Sequence, residues 1–492
     1  MLLICKKLFQ GWSEKGVHYC HWKSNEHLNE GLEGKTDLDV YVAPDDKIPC
    51  REVLKSLSFI LFKPTKSSRY KEVEEYLGLD FDTGTMIHVH LHYRIITGTK
   101  FCKEYEFPVG ELMLSTRIVD QSTDVYVASP DIEIIVLYAR IALKAGKVSR
   151  IKTKGYLEEV DYLKQRINVQ TVKEYCDQFL GKKDGDLLYA QIMTDDLKKV
   201  DWDIVLRVSK NWLSSHRTLS PITCWIRKNY YWARFYYDKA VNKKGGRILN
   251  KKTLPEEGLS IAFIGQDGSG KSTVNKDISK WLDWKVSNHS FYLGTGDGYR
   301  SPLKLLLRRA NKVSPKKQSV STESKEPANT EFSFRRLVGI VLSCLNLCNA
   351  SSVALKKARQ AYRYSKRGGV ALFDRFPQSQ FSGIYDGPKI KSLYGDSKYL
   401  TGYISWLSKK EERNIKRVQQ YAPNLVFKLI LPPEESHRRK PFEDYEMIKK
   451  KSAITSELSF PNSDVVNIDA CQDYQTELIL IKKVIWEKMT KL

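Results

Sequence analysis

Apolar and polar residues alternate over two short stretches in the first part of the chain, DLDVYV (37–42) and IHVHLHYRI (87–95), and that period of two predicts strands. Around them, up to about Asp124, short strands and helices mix. From Ser129 the period lengthens. Pro130 at a first-turn position, with Asp131 and Glu133 behind Ser129, marks a helix start, and Ile134, Ile135, Leu137, Ile141 and Leu143 follow helical spacing. Similar helices run to about Ser215. A basic, aromatic stretch occupies 224–247, and 250–258 (NKKTLPEEG) reads as a linker. From about Gly258 to Leu492, strand-like apolar runs alternate with helices, the pattern of a doubly wound parallel sheet. Within it, residues 311–332 are polar and poor in aromatics, an insertion rather than core. Leu337 to Leu355 is long enough to span a membrane. Ser343, Asn346, Asn349, Ser351 and Ser352 would then face lipid, so the stretch reads as a buried helix of an α/β domain. The expected architecture is a multidomain α/β chain divided at 1–124, 125–215, 216–257 and 258–492.

Composition adds partners rather than fold. A chain of 492 residues exceeds one ordinary core, and 41% hydrophobic with 28% charged residues describes a soluble globular protein. The formal charge of +23 calls for anionic partners: nucleotides, phosphorylated glycans, nucleic acid or an acidic membrane surface. Nine cysteines, with no CxxC pair and no zinc-finger spacing, point to reduced thiols and a cytoplasmic location. The opening MLLIC is too short for a signal-peptide core.

The sharpest chemical signal is LSIAFIGQDGSGKSTVNKDISKWL (259–282). Gly265, four residues, then Gly270-Lys271-Ser272 fits G-x-x-x-x-G-K-[ST], with a short apolar strand (Ile261–Ile264) before it and a helix from Thr273 after it. Gly265, Gly268 and Gly270 let the backbone turn tightly, so that the N–H groups of the loop, Asp267 and Ser269 included, face phosphate oxygens. The helix N-terminus adds a favourable dipole. Lys271 would bridge the outer phosphates of ATP, and Ser272 would ligand Mg²⁺.

The wording GQDGSGKST resembles the thymidylate kinase-like branch of nucleoside and nucleotide kinases. GVALFDRF (369–376) resembles that family's strand ending in Asp-Arg-aromatic, APNLVFKLILPPEESHRRK (422–440) its later strand, turn and basic lid helix, and DVVNIDA (464–470) its final strand. The resemblance spans about 258–490. It implies that Asp374 acts on Mg²⁺ or its water shell and that Arg375 clamps the acceptor phosphate or the phosphoryl group in flight. It also implies that Arg438 and Arg439 are lid arginines and that Asp267 lies within reach of an acceptor sugar hydroxyl. Two departures stand out: Ile264 replaces the family's usual Glu, and the thymidine-binding segments are replaced by YLGTGDGYRSP (292–302) and PQSQFSGIYDGPK (377–389). Both are rich in glycine and polar groups and suit another acceptor.

HYCHWKSNEHLNEGLEGKTDLDVYV (18–42) resembles the nucleotidyltransferase superfamily with the polymerase-β-like core. Ser24 precedes Asp37 by thirteen positions, and Asp37 and Asp39, two apart on a strand, face the same way and could hold a divalent metal. The strand expected to supply a third carboxylate carries His90 instead, with His88 and His92 on the same face. This row reads as polar histidines on a half-buried strand more readily than as a metal site. Asp80 and Asp82, across a TG turn, are candidate replacements. The resemblance implies an intact nucleotidyltransferase-type fold with weak or absent transfer activity.

In 224–247, Trp225, Tyr230, Tyr231, Trp232, Phe235, Tyr236 and Tyr237 stand among Arg227, Lys228, Arg234 and Lys239. Such a helix can lie at a membrane interface or stack on single-stranded nucleic acid. An interdomain helix with buried aromatics is the plainer reading. The whole chain therefore reads as an ATP- and Mg²⁺-dependent kinase for a small-molecule acceptor (nucleoside monophosphate, nucleoside or sugar-type), with a degenerate nucleotidyltransferase partner domain. Its resemblance to composite chains of bacterial surface-polysaccharide gene sets implies a glycan or nucleotide-sugar role. Dimerisation and peripheral membrane contact are open. The rival is a nucleic-acid-associated or regulatory NTP-binding ATPase, which the charge favours and the lack of a recognisable helicase motif opposes.

Overall fold

In the computed structural model, which describes residues 1–243, 248–294, 334–397 and 400–492, the chain forms two units. One is Met1–Pro255 with Lys482–Leu492, the other Glu256–Ile481. The polar insertion 311–332 and part of the glycine-rich segment 292–302 lie outside the described residues.

The alternation that predicted strands in the first unit builds a seven-stranded sheet. Its strands are β1 (Tyr19–His21), β2 (Leu38–Val42), β3 (Ile60–Phe62), β4 (Val73–Asp80), β5 (Thr85–His92), β8 (Ile118–Val119) and β9 (Tyr126–Val127), in the order β3-β4-β5-β2-β1-β9-β8. A separate ribbon pairs β6 (Ile96–Thr97) with β7 (Tyr105–Glu106). Period two sorts the faces. Leu38, Val40, Val42, Ile87, Val89 and Leu91 join Phe9 and Trp12 of the first helix in one core. Asp39, His88, His90 and His92 alternate with those apolar residues and therefore face the other way. On that side a second core gathers the helices Pro130–Ala145, Val169–Met193 and Trp202–Trp212. The helix start read at Ser129 is seen as such: the Ser129 hydroxyl accepts from the Asp131 N–H at 3.3 Å.

The basic aromatic segment is the helix Pro221–Lys243, and here the buried-aromatic reading is corrected. Tyr231 and Trp232 do pack on Phe101, but Trp225 is 68% exposed, Tyr230 61% and Tyr236 62%. Among the described residues, the stripe that finds a surface to cover it is the one turned toward the 99–104 loop and the 66–69 segment.

In the second unit β10 (Ser260–Gly265), β11 (Asn288–Tyr292), β12 (Val370–Arg375), β13 (Leu425–Ile430) and β14 (Asp464–Asp469) form a parallel sheet ordered β11-β12-β10-β13-β14. After β10 the chain steps to the β11 edge, returns through β12, and later continues on the other side with β13. The carboxyl end of β10 is therefore a topological switch point, where such sheets leave a crevice. The apolar stretch from Leu337 lies in the helix Phe334–Ser365, long and apolar enough to cross a membrane by length and composition. It is less buried than expected, with 22% of the apolar window covered. Cys344 and Cys348 pack against Ile390, Ile404 and Leu407, and further along the helix Ala358, Ala361 and Tyr364 are buried as well.

Candidate active site

The loop at the end of β10 takes its form from its glycines. A Cβ on Gly265 would come within 2.6 Å of both the Leu429 carbonyl and Ser269 Oγ, so no larger residue fits without a shift. Gly268 and Gly270 adopt φ of +85° and +87°, the left-handed region that glycine enters without steric cost. Lys271 opens the helix Lys271–Asp283, and Thr273 N–H donates to the Gly270 carbonyl at 2.9 Å. Ser269 Oγ is buried and has no hydrogen-bond partner among the described residues. That is an unsatisfied group inside a loop shaped to receive acceptor oxygens.

The Lys271 ammonium folds back onto the Gln266 carbonyl at 2.7 Å. Burial, with the charges of Arg375 and Lys440 adding to it against Asp267 and Asp374, pushes this group down to about 8. A triphosphate binds the charged lysine and raises its pKa, so binding is unaffected by pH below the free-protein value and takes up a proton above it. Nucleotide affinity titrated between about pH 7 and about pH 9.5 should be flat at first, then fall by up to about tenfold per pH unit above about 8. A lysine at its ordinary value would leave the affinity unchanged over that range.

Ser272 and Asp374 meet, as the P-loop reading requires: the hydroxyl lies 3.0 and 3.2 Å from the two carboxylate oxygens. Both donors are hard oxygens at a phosphate loop, a set that suits Mg²⁺. Asp267 forms an ion pair with Lys451. Burial opposes its ionisation, yet Lys451, Lys271 and Lys440 together hold its carboxyl below the usual range. Arg375 stands 3.8 Å from Asp386 and over the Tyr292 ring.

Asp267, Lys271 and Arg375 also line a cavity of about 370 Å³ behind the loop, with Ile264, Tyr385 and Lys451 among its other walls. The position where the family resemblance led us to expect Glu is thus an apolar wall. Tyr385 and Asp386, from the 377–389 segment, both adopt left-handed φ (+47° and +56°). Such strain in consecutive non-glycine residues is concentrated at functional sites. The Tyr385 hydroxyl donates to the Lys451 carbonyl at 2.9 Å.

The two lid arginines part company. Arg439 reaches the Gly268 carbonyl at 3.4 Å and the Ala470 carbonyl at 3.0 Å. Arg438, 75% exposed, makes a two-pronged pair with Glu435 at 2.7 Å per bond and does not reach the loop. Adjacent helical positions point about 100° apart, so one of the pair must turn away.

In the first unit the expected Asp37–Asp39 metal pair is not what the strands assemble. Asp39 Oδ1 lies 2.8 Å from the Lys23 ammonium, 2.9 Å from His90 Nδ1 and 3.5 Å from His92 Nε2. Asp37 lies 2.8 Å from His88 Nδ1, out of line for a hydrogen bond. On these strands the donors within reach of one ion are Asp39, His90 and His92. Burial opposes Asp39 ionisation, but Lys23 and the two histidines hold it well below the ordinary range. Burial and the neighbouring His90 push His92 down to about 3. An added cation would have to displace Lys23.

The carboxylate facing His90 is Glu75, which lies opposite it on β4; Glu75 is 2.6 Å from His88 Nε2 and 3.4 Å from Lys252. Asp80, offered as a replacement, is spent at the other end of the strand, where it accepts from the Ile4 and Thr83 N–H groups at 3.2 and 3.0 Å. Ser24 hydrogen-bonds to Glu159 at 3.3 Å and has φ +57°.

A buried parallel strand, a glycine turn and a helix opening on Lys271 define a P-loop domain of the doubly wound α/β class. No protein-family model matches the chain. Over 253 residues it is 31% identical to the Escherichia coli (strain K12) protein described as uncharacterized ATP-binding protein YghR, covering 49% of this chain and 92% of that one. The chain belongs to the YghR family. Among solved structures it resembles deoxyadenosine kinase from M. mycoides with bound dCTP, at 15% identity and a TM-score of 0.27, over 46% of this chain and 98% of that one. It also resembles thymidylate kinase from Candida albicans, at 19% identity and a TM-score of 0.27, over 48% and 94%. Likeness at that level carries no argument about activity.

Proposed function

We propose that the second unit is an ATP-dependent kinase that phosphorylates a small molecule held in the cavity behind the P-loop. The observation that carries this reading is that the phosphate loop and the cavity share residues. Asp267 and Lys271 belong to the loop and line the cavity with Arg375, so an acceptor there lies next to the bound phosphates. The description of YghR as an ATP-binding protein supports the nucleotide half of the proposal.

In this reading Lys271 leaves the Gln266 carbonyl for the outer phosphates, and Arg375 orients the acceptor. Ser272 and Asp374 would hold Mg²⁺, which offsets phosphate charge when bound. For a hydroxyl acceptor, Asp267 is placed to take the proton as the new oxygen–phosphorus bond forms and the bond to the leaving nucleoside diphosphate breaks. For a phosphate acceptor no base is needed, and Lys451 and Arg375 provide the countercharge. The acceptor class is a nucleoside monophosphate, a nucleoside or a sugar, with surface-polysaccharide metabolism as the setting. The first unit fits a nucleotidyltransferase-type domain whose carboxylates are already engaged from within, by the Lys23 and Lys252 ammonium groups and by contacts with His88, His90 and His92, which favours weak or absent transfer.

The test is ATP turnover by the full chain against a panel of nucleoside monophosphates, nucleosides and sugars, beside single- and double-stranded DNA and RNA. At least one small acceptor should raise turnover about a hundredfold over water and appear as a phosphorylated product. Stimulation by nucleic acid alone would reverse the assignment.

A further inference from the structure

A cavity of about 600 Å³ in the first unit is walled by segments far apart in the chain, and six cations line it: Arg69, Lys71, Arg94, Lys103, Arg217 and Arg227. The single carboxylate there, Glu106, is already engaged by Arg94, whose Nε donates to it at 2.8 Å. Among the described residues no carboxylate lies within salt-bridge distance of the other five cations. Arg227 Nε is buried with no acceptor, while the terminal nitrogen donates to the Arg69 carbonyl at 3.2 Å. Arg217 Nε is bonded to the Leu219 carbonyl at 2.7 Å, which aims the guanidinium without neutralising it.

Like charges around a concave, low-dielectric wall repel, and the cost is offset only when an anion enters. The chain holds this arrangement rather than relaxing it. Phe101 and Lys103 both stand in the left-handed region (φ +75° and +51°). Glu104 ties the loop by accepting from the Thr99 N–H at 2.9 Å, and the Cys102 thiol donates to the Cys224 carbonyl at 3.4 Å. Burial, with Lys23, Lys144 and Arg140 behind it, pushes Lys103 down to about 7.

We propose that this cavity is a second anion site, separate from the P-loop, which binds a small molecule through at least two phosphate groups. The guanidinium forks of Arg217 and Arg227 match phosphate geometry, while Lys71 and Lys103 act as point charges. The volume suits a ligand of nucleoside-diphosphate or sugar-bisphosphate size. The cations line one cavity rather than a track along the surface, which is the arrangement for a compact ligand and not for a nucleic-acid strand.

The experiment is site-resolved, so that the P-loop does not confuse it. The full chain is labelled with a lysine acylating reagent and read by mass spectrometry, with and without tripolyphosphate or ADP. Either ligand should protect Lys71 and Lys103 about fivefold and leave Lys15 unchanged. In Arg217→Ala, at an exposed position, the concentration needed for protection should rise about tenfold. Lys71→Gln, also exposed, should give the same rise read on Lys103. Absence of protection, or protection unchanged in both variants, overturns the site. Protection by an oligothymidylate at lower phosphate concentration than by tripolyphosphate overturns the small-molecule assignment.

Discussion

Replacing Lys271 by alanine is expected to lower ATP turnover about a thousandfold, which corresponds to about 4 kcal/mol of transition-state stabilisation. The side chain is half-buried beside the loop, and among the described residues its one hydrogen bond is the 2.7 Å contact with the Gln266 carbonyl, so its loss removes charge rather than core packing. The thermal midpoint should therefore stay within a few degrees of the parent. The loss should also depend on the ligand: binding of a nucleoside triphosphate should weaken far more than binding of a nucleoside monophosphate, because only the outer phosphates meet the ammonium. Isothermal titration with both ligands, beside a turnover assay, checks this. Turnover within about threefold of the parent would remove the P-loop from the chemistry.

The second large effect is expected from Asp374→Asn, which keeps the shape and removes one charge. The Ser272 hydroxyl, now 3.0 and 3.2 Å from the carboxylate oxygens, can still donate to the amide oxygen, so the loop should keep its conformation. What should be lost is the effect of Mg²⁺. Nucleotide affinity measured in excess chelator should match the parent, whereas turnover in saturating Mg²⁺ should fall about a hundredfold or more. A variant that binds nucleotide poorly even without metal would instead place Asp374 in the architecture of the loop.

Much of this site could be read from the chain because it is local. Strand, glycine turn and helix follow one another within 259–282, and the residues that shape the loop are neighbours in sequence. Even Glu75 left a trace. The hairpin that pairs Asp80 with Thr85 across the FDTG turn places Glu75 opposite His90 five steps back on each strand. Counting from the turn therefore leads to a carboxylate on β4 that β5 itself does not carry. The division of labour between Arg438 and Arg439 had no such trace. Adjacent arginines on a helix are equivalent until the partners are known: both pair with Glu435, but Arg439 alone also reaches the Gly268 and Ala470 carbonyls.

The aromatic helix shows the same boundary from the packing side. Its composition was plain, but which aromatics are covered depends on the 99–104 loop, more than a hundred positions earlier in the chain. The cationic cavity is harder still, because its walls come from 69–71, 94–106 and 215–227 and none of these segments carries a motif.

The sequence by itself determined the elements and the phosphate loop, since backbone conformation and periodicity depend on residues a few positions apart. Tertiary structure alone decided which charges meet. Lys451 reaches Asp267 from 184 positions away, and Lys23 comes to lie against Asp39, one of the two carboxylates read as able to hold a metal. The reason is physical. Coulombic pairing and burial depend on distance in space, and a linear pattern carries no information about which distant side chains will share a low-dielectric neighbourhood.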